Sequence, residues 1–564
     1  MKNKKYSFRF LVAWQIILLV AIYMNPAISA ENHIEGYYEQ RQGGTLTIGV
    51  LIEPDVLDPH YTSTFGTVRI LNNIYNGILK LDYRDKRLYF EPDLAESWER
   101  LDDLTYIFRL RKNVKFHDGR TFTAADVIYS INRVRDEKTK SPHAWKLSLL
   151  KSIEAKDDYT ILMKFSEPYP FLRVALTGST GRAGTIVDKD WIERLGMKAR
   201  FHPMGTGPFK FIEYKENDHI TLERNPDYFE HDSDGKQLPY LDKVIWKILP
   251  DPAVAISALK AGQVDGLDFV PYQFVQSLKA DPKFTLYSTP GGNWTHLTFN
   301  LRKPPFDDKF LRQAISYAID RDAIVRQVYF GEAVVAHGPI SPPMSDFYDA
   351  DYESGNNGQY YNLDKAKELI AKSKYPNGVE AEFLVRNDGE WPQMGVAIQE
   401  QLKKIGVTLN IKLVDVASFN QRWKASDFSV FTWHWEADLD PDETLYPELH
   451  TNERWNLGGY SNTEFDTLVT NARKTNDINV RRENYRKAQD ILAEDVPVAV
   501  LTHKNEHKIF ASKVKGFVQI PADLMDLHRV WIAKTVEPEQ GTDNAEQFIQ
   551  FKEKIIKTFA DLWK

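Results

Sequence analysis

An α/β fold, with strands and helices in alternating layers, is what this sequence predicts. Two observations carry the prediction. Segments that alternate polar and apolar residues are repeatedly followed by segments with helical spacing and recognisable caps. The chain has 564 residues, 42% of them hydrophobic, which is enough for two or three domains with large cores. No repeat or low-complexity tract interrupts it.

The elements follow in chain order. Glu31 to Gly43 is polar and reads as a loose start. Gly44-Thr-Leu-Thr-Ile-Gly-Val50 alternates and reads as a first strand. Leu104 to Leu110 is rich in β-branched and aromatic residues and reads as another. Gly119 closes a turn, Thr123 offers an N-cap, and Ala124 to Val134 reads as a helix. Ile220 to Arg224 alternates until Asn225-Pro226 breaks it. Val244 to Leu249 and Val264 to Val270 read as strands around a helix Pro252 to Lys260, which Gly262 closes. Helical spacing returns in Phe310 to Ala318 and in Ala323 to Phe330, with Gly331 as a stop. Asn362 offers an N-cap to a helix Leu363 to Lys372. Trp391 to Ile405 reads as a helix ended by Gly406, and Val407, Leu409, Ile411 and Leu413 then alternate as a half-buried strand. In the tail, Phe548, Ile555, Phe559 and Leu562 fall on one helical face, either docked on the body or free for a partner.

The first thirty residues form a secretory signal in pattern. Lys2, Lys4, Lys5 and Arg9 precede an apolar stretch from Phe10 to Met24, broken only by Gln15, and Ala27-Ile-Ser-Ala30 offers small residues for cleavage. Cysteine is absent, which excludes disulfides, thiolate metal sites, a cysteine nucleophile and lipid attachment after the signal. The expected location is the periplasm. Loss of the four bases in residues 1–30, which hold no acid, takes the formal net charge from −7 to −11. So acidic a surface repels phosphate backbones and excludes nucleic acid as a natural partner.

One run stands out chemically: Trp433-His-Trp435-Glu-Ala-Asp438-Leu-Asp440-Pro-Asp442. Indole rings favour burial, and carboxylates need water or a cation. A segment holding both suits the wall of a pocket for a ligand that is cationic and partly apolar. The spacing of Asp438, Asp440 and Asp442 imitates the start of a calcium loop. Glu443 stands where that loop needs glycine, however, and Leu449 where it needs an acid. His503 and His507 have the spacing of a helical metal pair but fall in a segment that reads as strand. Gly178-Ser-Thr-Gly181 is one residue short of a nucleophile elbow, and no His-Glu-x-x-His occurs. The sequence therefore points to a receptor that is not an enzyme and needs no cofactor.

Several ordered runs resemble one family. They are Ala95-Glu-Ser-Trp98; Leu110-Arg-Lys-Asn-Val-Lys-Phe-His-Asp-Gly119; Thr123-Ala-Ala-Asp-Val127; Gly205-Thr-Gly-Pro-Phe209; Arg224-Asn-Pro226; Gly262-Gln-Val-Asp265; Pro304-Pro-Phe-Asp307 through Ala318-Ile-Asp-Arg321; and Lys515-Gly-Phe517. In that order they resemble the family-5 solute-binding proteins, the periplasmic peptide-, dipeptide- and nickel-binding proteins of ABC importers. Each run also has a local reading. Gly119 suits a turn of positive φ, Gly205-Thr-Gly-Pro a rigid bend, and Asp307 and Asp308 a helix start.

The resemblance implies a two-lobed periplasmic binding protein (class II-like, cluster C) with a subdomain inserted in lobe I and two crossing hinge strands. It implies lobe I at 44–77, 186–290 and 506–535, the insertion at 78–185 and lobe II at 291–505, whereas the tail at 536–564, which the resemblance does not cover, reads as an amphipathic helical extension. The crossings fall near Leu286 to Phe299 and Val498 to Phe510. It further implies a monomer that delivers a short peptide to an ABC permease in the inner membrane. Trp435-Glu-Ala-Asp438 matches the run that lines the cleft of the oligopeptide receptors, so Asp438 inherits the contact to the ligand's α-ammonium and Trp435 the pocket wall. Dipeptide receptors carry an Asp-Pro-Asp slightly further on, which leaves Asp440 as the alternative acid. Phe65 falls where the family offers backbone to an extended ligand, and His434 would be the opposing backbone donor. Trp433 joins an aromatic row that would also suit a sugar face. Trp294 lies beside the first crossing and either lines the cleft or packs the hinge. Nickel chelates, oligosaccharides and opine-like compounds are the other solute classes that the family implies.

Overall fold

The computed structural model describes residues 41–84, 87–349, 358–436 and 439–533. Gly43–Trp531 form one compact unit, and of the rest of the chain only residues 41, 42, 532 and 533 are described. The signal segment 1–30 and the helical extension 536–564 lie outside the described residues.

A large mixed sheet runs through the unit, in the order 407–414, 379–386, 430–436, 293–299, 498–511, 266–267, 45–50, 243–248, 219–224 and 209–215. The opening strand Thr45–Val50 pairs in parallel with Lys243–Ile248. Val379–Arg386 pairs in parallel with Val407–Val414. The long strand Val498–Ala511 is central. Its later half takes Phe284–Pro290 and Gly266–Leu267, and its earlier half takes Asn293–Phe299 and Ala333–Val335, all antiparallel. The two segments expected to cross between lobes are thus hydrogen-bonded to one another. Apart from this sheet, Ala95–Asp102, Thr105–Leu110, Thr160–Phe165 and Leu150–Asp157 form a four-stranded antiparallel sheet.

The helices begin where capping chemistry dictates. Thr123 and Asp126 form a reciprocal capping box on Ala124–Arg135. Asp251, Asp308, Asp320 and Asn362 each accept backbone N–H groups at the starts of Pro252–Lys260, Lys309–Ala318, Arg321–Val328 and Leu363–Lys372. Trp391–Leu402 passes through a short 3₁₀ turn to Gly406, whose φ of +76° ends it.

Two expectations need correction. Val264 to Val270 is strand only at Gly266–Leu267, although the Asp268 N–H still reaches the Gly49 carbonyl at 3.2 Å while its carboxylate pairs with Arg69. The bend at 206–208 leads into strand Phe209–Lys215 from a 3₁₀ turn and not from a strand, and Gly205 and Gly207 serve a second purpose. A Cβ at either would lie 2.1 or 2.5 Å from the Ile74 carbonyl group, so glycine here permits close backbone packing.

Candidate functional site

Strand Val430–Glu436 carries the acidic-aromatic run into the middle of the sheet. It pairs antiparallel with Asn293–Phe299, placing Trp294 opposite Trp435 and Thr295 opposite His434. Beyond it, Leu439 has φ +67° and Asp440 caps helix Pro441–Leu449. Asp438 itself lies outside the described residues.

The described candidates occupy distinct environments. Trp435 meets Trp455 edge-on with ring centroids 6.1 Å apart, and both line a cavity of about 540 Å³. Trp433 lies in a separate stack between Phe419 and Trp423, at 5.3 and 5.6 Å. Trp423 stacks in turn on Trp455 at 5.3 Å, so one aromatic ladder links Trp433 to the cavity wall. His434 stacks on Trp391, with Nδ1 3.3 Å from the Lys504 ammonium and Nε2 3.3 Å from Glu436. Burial, then Lys504, keeps its imidazole neutral, with a pKa well below the usual value. Trp294 is fully buried against His296, with ring centroids 4.2 Å apart. Phe65 opens helix Phe65–Leu71, and the Arg182 guanidinium lies 4.9 Å from its ring centroid.

Asp440 is fully engaged by the scaffold. Its carboxylate pairs with the buried Arg481 at 2.7 Å and accepts the Asp442 N–H at 2.9 Å. The Asp442 carboxylate lies 3.2 Å from Arg473, and burial raises its pKa to about 6. Two of the three regularly spaced acids are thus committed to arginines, and no group of ligands able to hold a metal occurs among the described residues. His503 and His507 lie on the crossing strand. His503 bonds the Asn293 carbonyl at 2.8 Å, and burial lowers both pKa values to about 4.

One wall of the cavity comes from residues 63–182 and the other from residues 424–473. Between them the Lys146 ammonium faces the Glu443 carboxylate at 3.5 Å. Burial pushes the lysine down to about 8 against the pull of Glu443, and it raises Glu443 against Lys146 and Arg182. Burial also lowers Arg182, to about 10. Arg182 is only 6% exposed and has φ +59°. Neighbouring Gly181 and Gly184 leave no room for a Cβ, which would lie 1.8 and 2.2 Å from the carbonyl oxygens of Val174 and Leu176. Lys146, Arg182 and Glu443 escaped the sequence reading. The available signal was an arginine flanked by close-packed glycines, in a segment tested only as a nucleophile elbow.

A mixed sheet in which 284–299 pairs along the length of 498–511, and a polar, aromatic-walled cavity fed by two distant parts of the chain, match the architecture of two-lobed binding proteins. The family model for bacterial extracellular solute-binding proteins, family 5, matches residues 89–456, and the chain belongs to that family. It is 29% identical over 559 residues to the oligopeptide-binding protein AppA of Bacillus subtilis, spanning 95% of this chain and 100% of that protein. It is 32% identical over 482 residues to heme-binding protein A of Haemophilus influenzae, spanning 79% of this chain and 85% of that protein. Among solved structures, the periplasmic binding protein DppA of Helicobacter pylori in complex with the peptide STSA matches with a TM-score of 0.76. Their identity is 28%, covering 88% of this chain and 99% of that one. These relatives are binding proteins, and so is this chain; it is not an enzyme. No helix among the described residues is long and apolar enough to cross a membrane.

Proposed function

We propose that this protein captures short peptides in the cavity between residues 63–182 and 424–473 and delivers them, as a periplasmic monomer, to an ABC permease of the inner membrane. The observation that carries the reading is the cavity itself. Indole faces sit beside buried charges of both signs, which suits a dipolar ligand of varied side chains. The peptide-binding relatives AppA and DppA support it. In this reading, residues 1–30 are the export signal. Lobe I comprises 44–77, 186–290 and 506–535 with 78–185 inserted, and 291–505 form lobe II. Because Arg481 engages Asp440, Asp438 is the proposed partner of the ligand's ammonium group, with Phe65 and His434 flanking it.

Titration calorimetry with di- to pentapeptides tests the reading. Asp438→Ala is expected to weaken peptide binding by roughly 2–5 kcal/mol, since a buried ammonium would lose its counter-charge. A second reading keeps the fold and changes the solute to an oligosaccharide, a nickel chelate or an opine-like compound. The ladder of Trp433, Trp423 and Trp455 favours it, because stacked indoles suit sugar faces. Silence across a peptide library with a response to one of those solutes, retained in Asp438→Ala, would establish that alternative.

A further inference from the structure

The cavity is basic although the chain as a whole is acidic, at −7. Lys146, Arg182 and Arg473 line it inside, and the exposed Lys140, Lys424 and Arg454 line its rim. Glu443 and Glu453 are the acids among the described lining residues. Asp442, whose carboxylate lies 3.2 Å from Arg473, and the proposed Asp438 bring the acids to four and leave the six bases ahead by two. A basic hollow in an acidic molecule concentrates field lines and draws in anions against the general repulsion of the surface. The dipolar reading alone does not call for this excess, since a zwitterion needs one acid and one base.

Two further observations show that the basic set is built into the site. The Arg182 backbone is in the left-handed region, and its glycine neighbours pack directly on the main chain of residues 174–176. Strain of that kind persists where the surrounding structure enforces it, and it clusters at ligand clamps. At the rim, the Arg454 guanidinium lies 4.9 Å from the ring centroid of Trp455, which holds its charge against the aromatic wall. Lys424 ends the helix Val416–Lys424 that supplies Trp423 to the same stack.

We propose that the cavity selects peptides carrying an acidic side chain, whose additional carboxylate is held by the basic lining, with Lys424 and Arg454 beside Trp455 as its outer members. The inference rests on the peptide reading above and names the substrate class within it. A peptide with one such side chain brings the extra negative charge that the lining balances, and a lysine-bearing peptide adds to the excess instead.

The test compares the tripeptides Ala-Glu-Ala and Ala-Gln-Ala by titration calorimetry, at low and at high salt. These ligands match in size and hydrogen-bonding reach and differ in charge. The expected result is that Ala-Glu-Ala binds about tenfold more tightly at low salt and that the ratio shrinks as salt rises. In the double variant Lys424→Ala, Arg454→Ala the ratio should fall toward unity. Equal affinities, or tighter binding of Ala-Gln-Ala, would overturn the acidic preference and leave peptide capture standing. A ratio that survives both salt and the double variant would overturn the assignment to this lining. Binding of neither peptide, nor of any other in a library, would remove the peptide reading and this inference with it.

Discussion

Asp438 and Asp440 stand two residues apart, and charge alone gives no reason to prefer either as the ligand's partner. The structure separates them by what Asp440 already does. It neutralises Arg481, which is 2% exposed, and caps a helix, so its loss would strand a buried guanidinium. Asp440→Ala is expected to cost about 3–5 kcal/mol of stability, seen as a lower midpoint in denaturant titration. If that midpoint is unchanged while peptide affinity collapses, Asp440 is the ligand's acid. At this scale the ring-plus-acid run drew attention to Trp435, which lines the cavity. It was silent on Lys146 and Arg182, because a buried cation in a cavity has the same local sequence as one on a surface. Only the fold brings Lys146 to Glu443 across 297 positions.

Capping side chains made several elements readable almost to the residue. Pro252–Lys260 and Leu363–Lys372 begin directly after Asp251 and Asn362, whose side chains accept the first free N–H groups. The four-stranded sheet of residues 95–165 was largely hidden. Ala95–Asp102 and Leu150–Asp157 are mostly polar and half exposed, so they lack the density of β-branched and aromatic residues that marked Leu104 to Leu110. The short loop around Arg182 was also hidden, since its glycines answer to a distant backbone. That loop yields a prediction of its own. Gly181→Ala pushes a Cβ into the Val174 carbonyl group and is expected to destabilise by about 1–3 kcal/mol. It should also displace Arg182, so peptide affinity falls by more than a general loss of stability explains. Calorimetry on the folded variant, beside its melting curve, checks both effects. Unaltered affinity would mean that Arg182 plays no part in binding.

Over the whole molecule, buried histidines set the response to acid. Burial lowers His60, His117, His503 and His507 to about 4 from an ordinary value of 6.5. Between those limits the unfolded chain takes up protons that the folded protein refuses, so stability falls as pH drops through the window. Asp93 and Asp442 act in the opposite sense. Burial raises both to about 6 from 3.8, so the folded state binds protons first and gains stability as pH falls below 6. His143 and His434 are lowered in the same way, and burial raises Glu436, Glu443 and Glu506 like the two aspartates, so six groups oppose five and predict a small net loss. The melting temperature should decline steadily from pH 6.5 toward 4, and a flat or rising profile would contradict the assignment of neutral buried imidazoles.

The same scale governs closure. In this structure the cavity walls are joined by Lys146 to Glu443 at 3.5 Å, Lys474 to Glu167 at 3.1 Å and the Tyr106 hydroxyl to Asn476 at 3.4 Å. Leu439 adds the one apolar link among these contacts. It follows the cleft strand in a left-handed conformation, is 6% exposed, and packs with Val68, Ala522 and Leu524. The exposed Lys474–Glu167 pair contributes little and the buried Lys146–Glu443 pair offsets its attraction against desolvation, whereas burying a leucine contributes about 1.5–3 kcal/mol, so the apolar contact should dominate. A hinged receptor closes when the sum of such contacts and ligand contacts exceeds the cost of ordering the lobes. Leu439→Ala is therefore expected to shift the ligand-free protein toward the open form, with a larger radius of gyration in solution scattering. Peptide affinity should drop by about tenfold, because ligand must then supply the lost closure energy. Saturating peptide should restore the wild-type radius, which separates a weakened latch from a damaged fold. An unchanged radius and affinity would mean that the polar contacts alone hold the cleft shut.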